Sequence, residues 1–279
     1  MTELLFGTAG VPRSSMSAST VSGIERIAEL GLGCMELEFV QRAQMSEATA
    51  LEVRKTANKL GIKLTAHAPY YINFNSREME KVRASQARLI KTAHIAVSCG
   101  VESVIFHPAF YHNDPPDQVY DIVKKYLLEV LDVLKDENIR LWIRPEIMGK
   151  VSQFGMLEEI LKLSEELNGV APGIDFAHMH ARNGEINSYE EFITVLEKVK
   201  ESQGDNALKN MHIHVSGIEY GHRGEIRHLT LENSDFQYVQ LLQALADFGA
   251  GGVLICESPN LEEDALLLQE NFNRLLKRT

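Results

Sequence analysis

The sequence predicts a single-domain (β/α)₈ barrel over residues 1–279, and three observations carry that prediction. Eight short apolar runs alternate with eight longer amphipathic stretches. The length of 279 residues fits eight such units in one barrel. No second-domain linker interrupts the alternation.

In chain order the strand candidates are 4–8, 34–39, 63–68, 103–107, 141–147, 173–177, 211–215 and 253–257, and several carry β-branched residues. The helix candidates are 20–30, 46–60, 77–98, 117–136, 156–168, 188–202, 234–248 and 262–277. Apolar residues recur in them at three-and-four spacing, as at Val119, Ile122, Val123, Tyr126 and Leu127. Ser46, Ser188 and Ser234 are the N-cap candidates, and Ser188 stands three residues before Glu191, the capping-box spacing. Gly31, Gly61, Gly100, Gly169 and Gly249 close helices before the next strand. The competing fold is an open, doubly wound sheet. Its dinucleotide fingerprint is missing, because Gly31-Leu32-Gly33 follows a helix and precedes a strand, the reverse of the required order.

Composition excludes several classes. Hydrophobic residues at 44% and charged residues at 24% support a packed core and argue against disorder. No apolar run reaches the roughly 18 residues of a spanning helix, and Met1–Gly10 has no basic n-region of the kind a leader carries. Three scattered cysteines (Cys34, Cys99, Cys256) with no CxxC give neither a disulfide framework nor a thiolate zinc site, and a cytoplasmic location is expected. A net charge of -11 argues against bulk non-specific nucleic-acid binding but leaves a local basic surface open. A barrel that closes its own core is expected to be a monomer.

The polar residues at the strand ends carry the functional signal, because barrel active sites lie at the C-terminal face. The second strand closes with Glu36 and Glu38. The third ends in His67-Ala68-Pro69-Tyr70, the fourth in His107-Pro108, the fifth in Arg144-Pro145-Glu146 and the sixth in Asp175-Phe176-Ala177-His178. The seventh holds His212-Ile213-His214 and the eighth ends in Glu257-Ser258-Pro259. Singly, a strand-end His is a hydrogen-bonded core residue and a Glu beside Pro is a solvated charge. Together, Glu146, Asp175 and Glu257 repel one another unless they are protonated or surround a cation. Imidazoles interleaved with carboxylates suit zinc, manganese or iron, in a catalytic rather than a structural site. His94, His112 and His222 read as solvated, His180 as either supporting or surface, and His212 as a packed or supporting group below His214. Cys34 and Cys256 read as small core residues.

The ordered set HAPY (67–70), HPA (107–109), PE (145–146), DxxH (175–178), His214, His228 and ESP (257–259) resembles the endonuclease IV family, abasic-site endonucleases on a xylose-isomerase-like barrel. The resemblance implies a cluster of two or three Zn²⁺ ions, with Mn²⁺ also compatible with the ligands. It places His67, His107 and Glu146 on a first ion. Glu146 then bridges to a second held by Asp175, His214 and Glu257, and His178 and His228 hold a third. The family's third site reads Asp-x-His; here Ile226 stands two before His228, and Glu225 is the available substitute. The implied reaction is hydrolysis of the phosphodiester 5′ to an abasic site in DNA, with Glu146 and Glu257 catalytic. Arg42 and Tyr70 look like the rim residues that support the flipped-out lesion. Arg13, Arg77, Lys150, Arg182, Arg223 and Arg227 would add a positive rim, against Asp114, Asp117, Glu185 and Glu219 in the same loops.

The alternative is a sugar isomerase or epimerase of the same superfamily. It would use one Mn²⁺ or similar ion on Glu146, Asp175, His214 and Glu257, and the two glutamates would shuttle a proton beside a carbonyl. Phe6-Gly7, Leu37-Glu38 and the absent Asp at 226 lean that way; Tyr70-Tyr71 would then be a lid over a sugar. A non-catalytic binding barrel is the third reading, and nothing in the sequence motivates it.

Overall fold

In the computed structural model, which describes residues 3–277, eight parallel strands form the barrel. They are β1 (Leu4–Ala9), β2 (Cys34–Glu38), β3 (Lys63–His67), β4 (Ser103–Phe106), β5 (Trp142–Pro145), β6 (Gly173–Asp175), β7 (Met211–Val215) and β8 (Gly252–Cys256). Met1 and Thr2, part of the stretch read for a leader, lie outside the described residues. Neighbours in sequence are neighbours in the sheet, and β1 pairs with β8. The remaining seam, between β5 and β6, is closed by parallel bridges from Ile143 to Val170 and from Glu146 to Gly173.

The outer helices are α1 (Thr20–Glu29), α2 (Glu47–Leu60), α3 (Met79–Ser98), α4 (Pro116–Asp136), α5 (Leu157–Glu166), α7 (Tyr189–Gln203), α8 (Tyr238–Asp247) and α9 (Glu262–Leu276). Ser46 and Ser188 cap their helices, and Ser188 with Glu191 completes the capping box. The five helix-stop glycines all have positive φ, the conformation that ends a helix cheaply only without a Cβ. Gly7 serves a different need. A Cβ there would fall 1.8 Å from the Cys34 carbonyl oxygen, so glycine is what lets β1 approach β2.

Three expectations are corrected. The sixth strand stops at Asp175, and residues 176–177 open an additional helix, α6 (Phe176–Asn183). Asp175 becomes its N-cap, accepting from the His178 amide at 2.7 Å, so capping chemistry overrides the short apolar run. Ser234 does not cap a helix. It follows a 3₁₀ turn, bonds the Ile218 amide at 2.9 Å, and α8 starts only at Tyr238. The long insert after β7 is an antiparallel hairpin, Gly217–Gly221 with Gly224–Leu229, which sequence periodicity did not resolve. No helix among the described residues is long and apolar enough to cross a membrane.

Candidate metal centre

β3, β4, β5, β6, β7 and β8 deliver their last residues, or the residues just after them, to one mouth of the barrel. Glu146 lies at the centre, fully buried. Its Oε2 is 3.2 Å from His67 Nε2 and 3.0 Å from His107 Nε2, and its Oε1 is 3.2 Å from His214 Nδ1. His214 Nδ1 is also 3.4 Å from Glu257 Oε1, and His178 Nδ1 is 3.2 Å from Asp175 Oδ2. Candidate ligand atoms converge in overlapping groups: His67, His107 and Glu146; Glu146, Asp175, His178 and Glu257; and His178, Glu225 and His228. Seven of the eight sequence-predicted ligand candidates fall in these groups; the eighth, His214, meets Glu146 and Glu257 through Nδ1 and forms a fourth group with Glu36 and His212.

The third group accounts for the departure at Ile226. Along a regular strand, residues three apart face opposite sides. Here the hairpin register jumps from Tyr220 opposite Glu225 to Glu219 opposite Arg227, which leaves Ile226 unpaired. The extra residue restores a common face to Glu225 and His228. Ile226 is turned out, 57% exposed, while Glu225 Oε2 comes to 3.6 Å from His178 Nε2, and His178 Nε2 lies 3.4 Å from His228 Nε2. Gly149 makes room: its carbonyl oxygen accepts from the Glu225 amide at 3.0 Å, and no Cβ occupies the gap to the Glu225 and His178 side chains.

The donor set fits cations. Asp175 Oδ2 and Glu257 Oε2 are buried without a hydrogen-bond partner, an arrangement that costs free energy unless a positive charge completes it. Burial, with the Glu257 and Glu146 charges, pushes Asp175 up to about 7, and burial pushes Glu38 up to about 8. Burial opposes charge on His67 and His178, yet the Glu146 hydrogen bond and charges raise His67 to about 10, and the charges of Asp175, Glu146 and Glu225 raise His178 to about 9. Without an ion, protons neutralise this cluster; a cation would replace them.

Other predicted residues sort as follows. Arg42 is exposed after β2, and Tyr70 and Tyr71 are half exposed after β3 with ring centroids 5.4 Å apart. The basic rim is thinner than the sequence suggests. Arg77 is 2.8 Å from Asp114, Arg227 is paired with Glu219, and Arg182 donates to the carbonyls of Met148, Lys150, Val151 and Gln153. Arg13, Arg42 and Arg223 form no ion pair among the described residues. Arg144, in the fifth strand's Arg144-Pro145-Glu146 end, is buried and turned to the opposite end, where it donates to the carbonyls of Pro172 and Asn210. His180 is buried rather than superficial, packed against Tyr220 and Phe236, with Nε2 3.2 Å from Asp235. His94, His112 and His222 are exposed.

The sequence profile of the xylose isomerase-like TIM barrel family matches residues 24–278. The chain belongs to this family. An uncharacterized protein of Methanocaldococcus jannaschii is 46% identical over 98% of both chains. Endonuclease IV from Thermus thermophilus superposes with a TM-score of 0.76 at 20% identity, over 98% of this chain and 100% of that one. A D-tagatose 3-epimerase-like protein superposes with a TM-score of 0.74 at 18% identity, over 97% of both chains. At these identities the two superpositions speak for the barrel alone, so the reaction has to be argued from the site.

Proposed function

We propose that this protein is a zinc-dependent phosphodiesterase that cuts DNA on the 5′ side of abasic sites. The observation that carries the reading is the imidazole content of the mouth. His67 with His107, and His178 with His228, flank the Glu146–Asp175–Glu257 carboxylates, giving three adjoining groups where a one-ion sugar site needs a single one. Bound in these groups, zinc ions would lower the pKa of water toward neutrality and offset charge on the phosphate oxygens.

Glu146 meets His67 and His107 through Oε2 and His214 through Oε1, so it would help to hold cations on both sides. Glu257, with Oε2 unpaired and part of the side chain open to the mouth, orients the attacking water and holds its proton. Arg42 and Tyr70, exposed on neighbouring rim loops, support the extruded sugar. Extrusion is inexpensive where the base is already missing, because its stacking and pairing are gone.

The epimerase reading keeps a specific support: Glu146, Asp175, His178 and Glu257 converge on their own, and His214 Nδ1 reaches Glu146 and Glu257 beside them, enough for a one-ion site. A duplex with one tetrahydrofuran abasic analogue separates the two. Nicking 5′ to the lesion, abolished by chelator, is expected. Intact duplex together with interconversion of a ketose panel would replace the nuclease with the epimerase.

A further inference from the structure

We propose that Glu36, on β2 beneath the metal centre, is a positioning residue that fixes the tautomer and orientation of His214 so that Nδ1 faces the cation cluster.

Glu36 is fully buried and touches Thr65 of β3 and His212 and His214 of β7. Proton directions follow from the bottom of the barrel upward. Arg144 Nε donates to Ser103 Oγ at 2.9 Å, and arginine has only donors. The Ser103 hydroxyl is 2.9 Å from His212 Nδ1 and can donate its own proton there. With that bond made, the proton of His212 lies on Nε2, which is in ion-pair contact with Glu36 Oε2 at 2.8 Å. Thr65 Oγ1 donates to the same Oε2 at 2.8 Å. With Oε2 facing Thr65 and His212, Oε1 is left, and it lies 2.9 Å from His214 Nε2. The ring N–H is not aligned for a full hydrogen bond in the metal-free arrangement, so the contact there is an ion pair. No other carboxylate lies within 4 Å of that nitrogen among the described residues, and both atoms are buried. Each is the other's available complement, and a buried donor left without one is costly.

The consequence lies one layer up. With Nε2 committed to Glu36, His214 keeps Nδ1 for the groups at the mouth, where it already sits 3.2 Å from Glu146 and 3.4 Å from Glu257. A carboxylate behind a ligating imidazole fixes its ring and raises its basicity. The Glu36→Gln change makes the prediction sharp. Thr65 donates to Oε2 and His212 Nε2 faces the same atom, so the carboxamide oxygen stays there and the NH₂ group faces His214. That NH₂ needs an acceptor on Nε2, which moves the His214 proton to Nδ1, the atom meant for the ion.

This inference rests on the metal-centre reading but not on the substrate. The test uses the full chain labelled with ¹⁵N-histidine, loaded with zinc, and read by long-range ¹H–¹⁵N spectra, with the His214 ring assigned by the signal lost in His214→Gln. The wild type is expected to show His214 protonated on Nε2 with Nδ1 metal-shifted. Glu36→Gln is expected to lose that signature and to bind zinc roughly 10–100-fold more weakly in competition with a chromophoric chelator. A wild-type His214 coordinated through Nε2 would overturn the proposal, even if the variant does not fold. So would a folded variant with unchanged zinc affinity and proton position. A wild type that takes up no zinc would instead overturn the metal centre itself.

Discussion

Replacing Gly149 with alanine probes the hairpin-borne group without replacing a ligand candidate. The new Cβ would stand 2.9 Å from Glu225 Cβ, 3.0 Å from His178 Cδ2 and 3.2 Å from Glu225 Oε2. The first neighbour is the root of its side chain, so relief requires the hairpin or α6 to shift rather than a flexible tip to swing. Overpacking of this kind costs about 1–3 kcal/mol. For a domain of this size that is a fall in Tm of roughly 2–12 °C, at about 2–4 °C per kcal/mol. If the strain is relieved by moving Glu225 from His178, zinc binding to that group weakens by roughly 5- to 100-fold, since about 1.4 kcal/mol is tenfold. Differential scanning fluorimetry and chelator-competition titration read the two quantities. Gly221→Ala is the control on the same hairpin, because its Cβ meets only Ile226 Cδ1, at 3.6 Å. A Gly149→Ala protein with wild-type Tm and undiminished zinc affinity would refute the packing argument and the assignment of Glu225.

Glu146→Gln is expected to lose most bound metal and activity together, measured by metal content per chain; full stoichiometry would contradict a bridging role. Zinc affinity is expected to rise with pH between about 6 and 9, because protons held by Asp175 (about 7), His178 (about 9) and His67 (about 10) must leave; a flat profile by competition titration would contradict this. In the metal-free protein Asp175 has the opposite sign. Its folded value stands above its ordinary 3.8, so its contribution to stability is full below about 4 and is lost as pH rises through about 7, which urea titrations across that window measure. Tyr70→Ala, at a half-exposed rim position, is expected to leave Tm unchanged and weaken abasic-duplex binding several-fold by fluorescence anisotropy; equal binding would remove Tyr70 from the DNA face.

Most of the barrel could be read from the chain because strand length, three-and-four spacing and helix-stop glycines are local signals. The cluster of candidate ligands was legible for a related reason: a buried strand end tolerates a carboxylate or imidazole only with a partner, so His67, His107, Glu146, Asp175, His214 and Glu257 stood out against apolar neighbours. What escaped depends on long-range contacts. Asp175 looks like a strand terminus until its side chain is seen capping α6. Glu225 becomes a ligand candidate in space only through a bulge at Ile226, whose register is set by the opposite strand. Arg182 and Arg227 read as a basic rim until their carbonyl and carboxylate partners are known. Glu36 could be seen as a strand-end acid, but its contacts, Thr65, His212 and His214, lie on other strands.

Anomalous diffraction at the zinc edge from zinc-soaked crystals reaches the central claim most directly. Peaks are expected at the barrel mouth, one within bonding distance of His67, His107 and Glu146 and another of Glu146, Asp175, His214 and Glu257, with the His178–Glu225–His228 group filling as zinc is raised. A mouth with no anomalous signal at saturating zinc would contradict the claim.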